Sequence, residues 1–578
     1  MLHDDRFRGL TLQDVRKDLI AGITVGIVAI PLGMAFAIAS GVKPEYGIYT
    51  TIIAGILVAL LGGSRFQIAG PTGAFIPILL AIVLQYGYEN LLIAGFLAGI
   101  ILLFMGFFKL GSLIKFIPRS VTIGFTAGIA VIIFTGQIGN FFGLEGIEKK
   151  ELFHENMLEI IHQFHTLNWY SALTALIGLA MIIMIPRIAP RVPILLVALL
   201  IPTIIAMVFY PDKIETIGAA YGGIPSALPT FHFPEITLEK IINLWRPAFV
   251  IAFLGGIESL LSAVVADGMT GKRHHSNREL IGQGVANIVT PLFGGIPATG
   301  AIARTATNIK SGAKTPLSGI FQGVFVLITL LLFAPYASFI PLASMAPILM
   351  IVAWNMSESK SFAHILKLKK GDSIVLIVTF LLTVFVNLTV AVEVGLLLAM
   401  VSFIRRMSGM LDIEKLLPIR QSEEASKEFT ITDRNCPEFD IYTIEGPLFF
   451  GTAAKFEQTL SQAINKRPKI LLLRMNNVQL IDASGEGNLS TLVKNFQKRG
   501  GIILISGIGA QPLQILKNSG LYYQIGANHV FEKIEDAVNY ANSLLNNHLC
   551  KTCRQKGFEQ CGAFNLLEEQ EKAYVLSQ

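Results

Sequence analysis

Cysteine and charge are both scarce in this sequence of 578 residues. Cys436 stands alone and Cys550, Cys553 and Cys561 crowd the C-terminal end, so a secreted disulfide framework is excluded. Charged residues make up only 15% of the chain and apolar residues 52%, whereas soluble domains carry about 25% charge. A soluble enzyme and a disordered protein are therefore excluded. A net charge of only +6 over this length does not indicate a nucleic-acid-binding protein.

Several motifs of energy conversion and catalysis are also missing. The sequence has no Gly-x-x-x-x-Gly-Lys-Ser/Thr phosphate loop, so ATP-driven pumping by this chain has no support. It has no zinc-protease helix, nucleophile elbow or flavin fingerprint in a plausible context. We therefore expect neither an enzyme nor a bound cofactor. The first apolar segment lacks a small-residue cleavage site, which predicts a retained span rather than a signal peptide.

What the sequence does contain is a series of long apolar segments. They predict a polytopic α-helical membrane protein with about fourteen spans. The spans lie near residues 18–40, 46–62, 68–86, 90–108, 120–140, 169–187, 191–210, 246–267, 277–293, 300–311, 315–336, 343–356, 372–388 and 390–406. Lys and Arg concentrate in every second loop, which predicts a multi-pass protein of the cell membrane with both termini in the cytoplasm.

Composition also predicts the domain boundaries. We expect a transmembrane domain over residues 18–410, with repeats at about 18–210 and 246–406. It is preceded by a cytoplasmic segment, 1–17, and followed by a linker, 411–430, a cytoplasmic domain, 431–545, and a cysteine-containing tail, 546–578. Strand and helix patterns alternate in 431–545, which indicates a small α/β domain.

A short signature recurs in the two halves of the membrane domain. Pro71-Thr72-Gly73-Ala74 opens the third span, and Pro297-Ala298-Thr299-Gly300-Ala301 opens the tenth. Seven spans per half is an odd number, so the halves have opposite topology, as in the inverted repeats of many secondary transporters. Segments that open on Gly and Pro are tolerated at membrane depth where they line a protected cavity. We therefore predict two half-helices, the third and tenth spans.

Two half-helices that begin inside the membrane form an anion site if their starts face each other. Each start carries unsatisfied N–H groups and about half a positive charge. The predicted substrate-binding residues are Thr72, Gly73, Ala74, Thr299, Gly300 and Ala301, with Phe36 and Phe75 as pocket walls. The threonines could instead cap their helices, and the glycines could serve close helix packing.

Charged residues within the spans add to this prediction. Arg304 lies about one turn into its helix, where it opposes the helix dipole and requires a negative partner: an anion, Glu258 or Glu393. Glu258 lies in the middle of an apolar span and is a candidate proton carrier. Sodium is the alternative coupling ion, because Ser259 and Ser262 supply oxygen atoms beside that carboxylate.

Two regions outside the membrane carry further candidates. In the turn Ile481-Asp482-Ala483-Ser484-Gly485, Asp482 or Ser484 could cap the following helix, and Ser484 could be phosphorylated. In the tail, His548, Cys550, Cys553 and Cys561 are four possible zinc ligands. Their irregular spacing favours reduced free thiols, so no metal is expected.

Three segments resemble the SulP anion permeases, the sulfate permease family that includes prestin among animal relatives. They are Gln67-Ile68-Ala69-Gly70-Pro71-Thr72, the run from Glu258 through Ala266-Asp267-Gly268-Met269-Thr270, and Gly294-Gly295-Ile296-Pro297-Ala298-Thr299-Gly300 leading to Arg304. The C-terminal part resembles a STAS domain, although Ala483 stands where serine is common.

The resemblance implies a seven-plus-seven inverted repeat, a core that moves against a gate region, and a homodimer. It places Thr72, Gly73, Thr299, Gly300 and Arg304 in an anion pocket between the third and tenth spans, and Glu258 at the coupling position. The segment Ala353-Trp354-Asn355-Met356-Ser357-Glu358 looks like the bacterial branch that takes up C4-dicarboxylates, and we expect it to lie outside the pocket.

These observations predict a secondary transporter of a small anion, sulfate or a related inorganic anion, coupled to protons and working by alternating access. The alternatives are a C4-dicarboxylate/proton symporter and a sodium-coupled bicarbonate transporter. Two alternatives that are not secondary transporters are a passive anion channel and a membrane-tethered STAS sensor. The expected partners are the anion, a proton or sodium, membrane lipid and a second copy of the chain, with no nucleic acid.

Overall fold

The computed structural model describes residues 5–7, 10–112, 118–150, 152–189, 193–368, 370–415, 438–465 and 468–545. The chain forms two compact units, Met1–Ala399 and Met400–Gln578. Most of the predicted linker lies outside the described residues. The same is true of the whole tail, with His548, Cys550, Cys553 and Cys561.

The described chain up to residue 408 is built almost entirely of helices. In chain order they are α1 (Leu12–Ala39), α2 (Pro44–Leu61), α3 (Ile76–Tyr86), α4 (Tyr88–Phe107), α5 (Arg119–Gly136), α6 (Ile138–Phe142), α7 (Phe153–His162), α8 (Trp169–Ile188), α9 (Ile194–Phe209), α10 (Ile217–Tyr221), α11 (Leu238–Thr270), α12 (Ser276–Val289), α13 (Ile302–Lys310), α14 (Leu317–Ala337), α15 (Leu342–Met356), α16 (Ser359–Leu366), α17 (Lys370–Phe385) and α18 (Leu388–Ser408).

Among the described residues, eight helical segments are long and apolar enough to cross a bilayer. They are α1, α2, α4, α5 continued by α6, α8, α11, α14 and α18. Each of the other predicted segments also holds a helix, but a shorter or more polar one. The helical membrane character is therefore confirmed, and the number of spans stays a prediction.

One helix begins earlier than the span predicted within it. The eighth span was expected to begin near residue 246, but α11 begins at Leu238. The Thr237 hydroxyl accepts a hydrogen bond from the Lys240 amide at 3.3 Å and caps this earlier start. The first turn contains Glu239 and Lys240, so it is too polar for an apolar-run criterion to detect.

The third and tenth predicted spans are interrupted in the same way. In the third, an extended pair, β1 (Ala69–Gly70), and a 3₁₀ turn, Gly73–Phe75, precede α3. In the tenth, an extended pair, β2 (Thr299–Gly300), precedes α13. The two pairs form an antiparallel ladder with Ala69 opposite Gly300 and Gly70 opposite Thr299. This ladder brings together the chain positions at which the two short helices begin.

Helices of this unit also pack closely against one another. A Cβ at Gly47 would lie 1.9 Å from the Gly33 carbonyl oxygen, so α1 and α2 touch backbone to backbone. A Cβ at Gly99 would lie 2.7 Å from the Gly284 carbonyl oxygen, so α4 and α12 meet in the same manner. Small residues permit this approach where no hydrophobic force drives helices together.

The second unit contains a five-stranded sheet, in agreement with the predicted α/β domain. The strands β3 (Asp412–Lys415), β4 (Phe439–Glu445), β5 (Ile470–Asn477), β6 (Ile502–Ser506) and β7 (Val530–Phe531) lie in that spatial order, antiparallel between β3 and β4 and parallel elsewhere. The helices are α19 (Ala453–Asn465), α20 (Ala483–Gln497), α21 (Ala510–Asn518), α22 (Leu521–Ile525) and α23 (Ile534–Leu544). The first residues of the predicted linker thus form β3, which pairs with β4. The sequence of β3 is too polar to predict a strand.

Candidate functional site

Arg304 bridges the two interrupted segments. Its side chain starts on α13, is only 3% exposed, and donates through Nη2 to the carbonyl oxygen of Pro71. Gly70 makes room for it, because a Cβ there would lie 2.7 Å from Nη1, and the φ of Gly70 is +156°. Among the described residues, Nη1 has no hydrogen-bond partner. A buried cationic donor is thus left unused at the meeting point of the two segments.

Glu258 approaches the same point from α11. Its carboxylate accepts a hydrogen bond of 2.9 Å from the Thr72 hydroxyl and interacts electrostatically with Arg304. Its side chain is half-buried, whereas Thr72 and Arg304 are buried. Three predicted residues from three separate elements therefore come together. Glu393, the other carboxylate considered for Arg304, is exposed on α18.

The threonines do not cap their helices. Thr72 makes no capping hydrogen bond and donates to Glu258 instead. The Thr299 hydroxyl lies 3.0 Å from the Gly255 carbonyl oxygen and 2.8 Å from the Ser259 hydroxyl, and the Gly300 amide donates to the Ser259 hydroxyl at 3.0 Å. Thr299 and Gly300 thus fasten the second segment to α11. Their contact with an anion stays a prediction.

The remaining predicted pocket residues are buried around these segments. Phe36 and Phe75 are 5% and 1% exposed, and the Phe75 ring lies 3.1 Å from the position of a Cβ on Gly255. Gly73 and Ala74 form the 3₁₀ turn before α3. The Ala301 amide donates to the Ile68 carbonyl oxygen at 2.8 Å, next to the ladder.

Two neighbours of the site were not expected from the sequence. The Met356 sulfur lies 2.8 Å from where a Cβ on Gly73 would be, so the segment 353–358, which we expected outside the pocket, reaches it. The Gln67 amide nitrogen donates to the Ser259 carbonyl oxygen at 3.1 Å and lies against Gly300. Neither contact has a local sequence signal, because each joins residues far apart in the chain.

Gly300→Ala is expected to abolish transport and lower the stability of the membrane unit. A Cβ there would lie 1.8 Å from the Gln67 amide nitrogen and 3.1 Å from the Ser259 backbone Cα, so the ladder would have to move. Overpacking of this kind costs about 1–3 kcal/mol. Gly268→Ala is the matched control, because nothing lies within 4 Å of its Cβ position. Anion uptake and the midpoint of thermal unfolding should decrease for Gly300→Ala and not for Gly268→Ala. An equal effect of the two substitutions would contradict the close packing around Gly300.

In the second unit, Asp482 caps α20. Its Oδ1 accepts from the Gly485 amide at 2.8 Å, and its Oδ2 accepts from the Phe450 amide at 3.1 Å. Ser484 is exposed in the first turn and does not serve as the cap. The capping role therefore belongs to Asp482, and phosphorylation of Ser484 stays a prediction.

Asp482→Ala should destabilise this region by about 1–2 kcal/mol, because two backbone amides lose their acceptor. Hydrogen exchange of the full-length chain should show faster exchange in α20 and at Phe450. Ser484→Ala, a change to an exposed side chain, should stay within ~0.5 kcal/mol of the parent. A slowed or unchanged exchange in Asp482→Ala would refute the capping role.

Metal ligands do not cluster in the described part of the chain, where no three His, Cys, Asp or Glu side chains gather in a group that could hold an ion. The four possible zinc ligands of the tail, His548, Cys550, Cys553 and Cys561, lie outside the described residues.

Comparison with known proteins gives a consistent result over nearly the whole chain. The sequence pattern described as "Sulfate permease family" matches residues 15–379, and that of the STAS domain matches residues 431–537.

Two relatives and one solved structure illustrate the similarity. "Putative sulfate transporter YvdB" of Bacillus subtilis is 55% identical over 532 residues, covering 92% of this chain and 99% of the relative. "Bicarbonate transporter BicA" of Picosynechococcus sp. is 31% identical over 459 residues, covering 76% and 80%. The murine Slc26a9 structure shares the fold with a TM-score of 0.82 at 20% identity, covering 91% of each chain. The chain therefore belongs to the sulfate permease family of membrane anion transporters, which are not enzymes, and carries a C-terminal STAS domain.

Proposed function

We propose that this protein is a secondary active transporter that moves a small oxyanion, sulfate or a related inorganic anion, across the cell membrane. The observation that carries the proposal is that Nη1 of buried Arg304, at the meeting point of β1 and β2, has no hydrogen-bond partner among the described residues. An oxyanion supplies the acceptor that this donor lacks. The relatives named as sulfate and bicarbonate transporters agree with this class of substrate.

The proposed architecture has fourteen spans in two inverted repeats of seven, with α3 and α13 as the half-helices and both termini in the cytoplasm. Support comes from the matching interruptions before α3 and α13 and from their antiparallel pairing. An anion between the two starts gains from both helix dipoles. We further propose that two copies of the chain form a homodimer in the lipid bilayer.

The position of Glu258 supports a proposed coupling to protons. When its carboxylate is charged, it neutralises Arg304 and competes with an incoming anion for the guanidinium. When it is protonated, Arg304 is free to bind the anion. Proton and anion therefore favour each other's binding, and this coupling is reciprocal. Movement of the loaded site from one side to the other would give symport by alternating access. Sodium near Glu258 is the alternative coupling ion.

Uptake into proteoliposomes tests the proposal directly. Labelled sulfate, bicarbonate and succinate should be compared at several pH values, with and without sodium. We expect saturable sulfate or bicarbonate uptake that increases with an inward proton gradient. Preference for succinate would favour the dicarboxylate branch, and a sodium requirement the sodium-coupled alternative. Non-saturating conductance would favour a channel, and the absence of uptake of any anion would overturn the proposal.

A further inference from the structure

A large cavity approaches the site from the end of α1. Its volume is about 970 Å³, and its walls include residues of α3, α5 and α8. Ile76 and Pro77, the first residues of α3, line it, as does Ile133. The Ile133 Cδ1 lies 3.6 Å from the position of a Cβ on Gly73. Residues of the cavity wall therefore also pack beside the Thr72–Gly73 turn, although Thr72, Thr299 and Arg304 do not line the cavity.

Lys149 places a cationic group in this cavity. It belongs to the segment between α6 and α7, outside the apolar spans, and its Nζ donates to the Ile38 carbonyl oxygen at 3.1 Å. No carboxylate of the described residues pairs with this ammonium. Lys149 is an exposed residue overall, while the protein packed around its ammonium disfavours the charged form and lowers the pKa of Lys149. A cation in such surroundings is stabilised by a bound anion.

The neighbouring lysine differs in one respect. Lys150 also lines the cavity, but its Nζ lies 2.6 Å from Glu148 Oε2, in an ion pair. Its positive charge is therefore already compensated. The two adjacent lysines can therefore be compared directly, because of the two only Lys149 has a positive charge that is not paired with a carboxylate.

We propose that Lys149 is an outer anion-binding group, at which a small oxyanion pauses in the cavity on its way to or from the Thr72–Gly73 turn. The proposal rests on the transport function proposed above and adds a second binding position to it. The competing interpretation is that Lys149 only caps the C-terminal end of α1 through the Ile38 carbonyl. A cap would affect stability, whereas a binding group affects the capture of the anion.

Kinetics of three variants separate these interpretations. Lys149→Met should raise the KM for sulfate about tenfold at low ionic strength and leave kcat unchanged, because an attractive charge in a cleft increases capture of a charged substrate. Added salt should reduce this difference. Lys149→Arg should keep the parent KM, and Lys150→Met should stay within about twofold of it, since its charge is paired with Glu148. Equal KM values for Lys149→Met and the parent would overturn the proposal.

A binding experiment on the wild-type full chain tests the Lys149 site without measuring transport. An amine-reactive reagent modifies only the neutral form of a lysine, and a bound sulfate holds the ammonium form. Mass spectrometry should show modification of Lys149 slowed about tenfold at a sulfate concentration about nine times its Kd, with Lys150 unaffected. Protection without uptake would support the outer site and refute the transport function. Uptake without protection would refute the outer site alone.

Discussion

Arg304→Met should raise the Kd for sulfate at least ~30-fold and eliminate measurable uptake. The guanidinium is 3% exposed and is the buried cation at the meeting point of β1 and β2. Its truncation removes the charged donor from the anion and leaves Glu258 without the opposite charge. Loss of one partner of such a pair costs about 2–5 kcal/mol or more. Isothermal titration of sulfate into the purified full chain measures the effect.

Two further variants make this test specific. Arg304→Lys should bind sulfate with intermediate affinity, because it keeps the charge but loses the planar guanidinium that donates to Pro71 and that we propose also binds the anion. Lys310→Met removes an exposed cation from the last turn of the same helix and should leave the Kd within about twofold. Equal effects of Arg304→Met and Lys310→Met would show that net charge alone matters and would contradict the site.

Glu258→Gln should abolish uphill uptake and preserve exchange of anion for anion. A glutamine resembles the protonated acid permanently, so Arg304 stays available while no proton can be carried. With one proton per anion and the membrane potential held at zero, a gradient of one pH unit gives about tenfold accumulation at most. The parent should approach that ratio in proteoliposomes, and the variant should stop at a ratio of about one, as expected for a process with no proton driving force.

The control for this variant lies on the same helix. Glu239→Gln removes an exposed carboxylate from the first turn of α11 and should accumulate sulfate as the parent does. If Glu258→Gln still concentrates sulfate in response to a proton gradient, Glu258 is not the proton carrier. If the parent responds to a sodium gradient instead and Glu258→Gln loses that response, the carboxylate serves sodium coupling.

Much of the fold followed from local features of the sequence. Apolar length and low charge predicted the helical membrane unit, because a bilayer leaves backbone polar groups no other partner. Alternation of strand and helix patterns predicted the α/β unit. The polar first turn of α11 and the charged strand β3 were missed, since the hydroxyl of Thr237 and the pairing with β4 stabilise them rather than apolar residues.

Part of the site was also predicted from local features of the sequence. The recurring Thr-Gly-Ala signature and intramembrane charges singled out Thr72, Glu258 and Arg304, which the structure brings together. The ladder between β1 and β2 has only two residues on each side, too few to show any periodicity. The approach of Met356 to Gly73 and of Gln67 to Gly300 depends on tertiary packing, which local spacing does not encode.

The central claim is that one oxyanion binds between the starts of α3 and α13, against Arg304. Selenate, a heavier analogue of sulfate, tests it most directly through the anomalous scattering of selenium in an experimental structure of the full chain. We predict a selenium peak within about 4 Å of the Arg304 guanidinium, the distance set by a charge-assisted hydrogen bond to a selenate oxygen. Selenate bound only elsewhere, in a protein that transports it, would contradict the account.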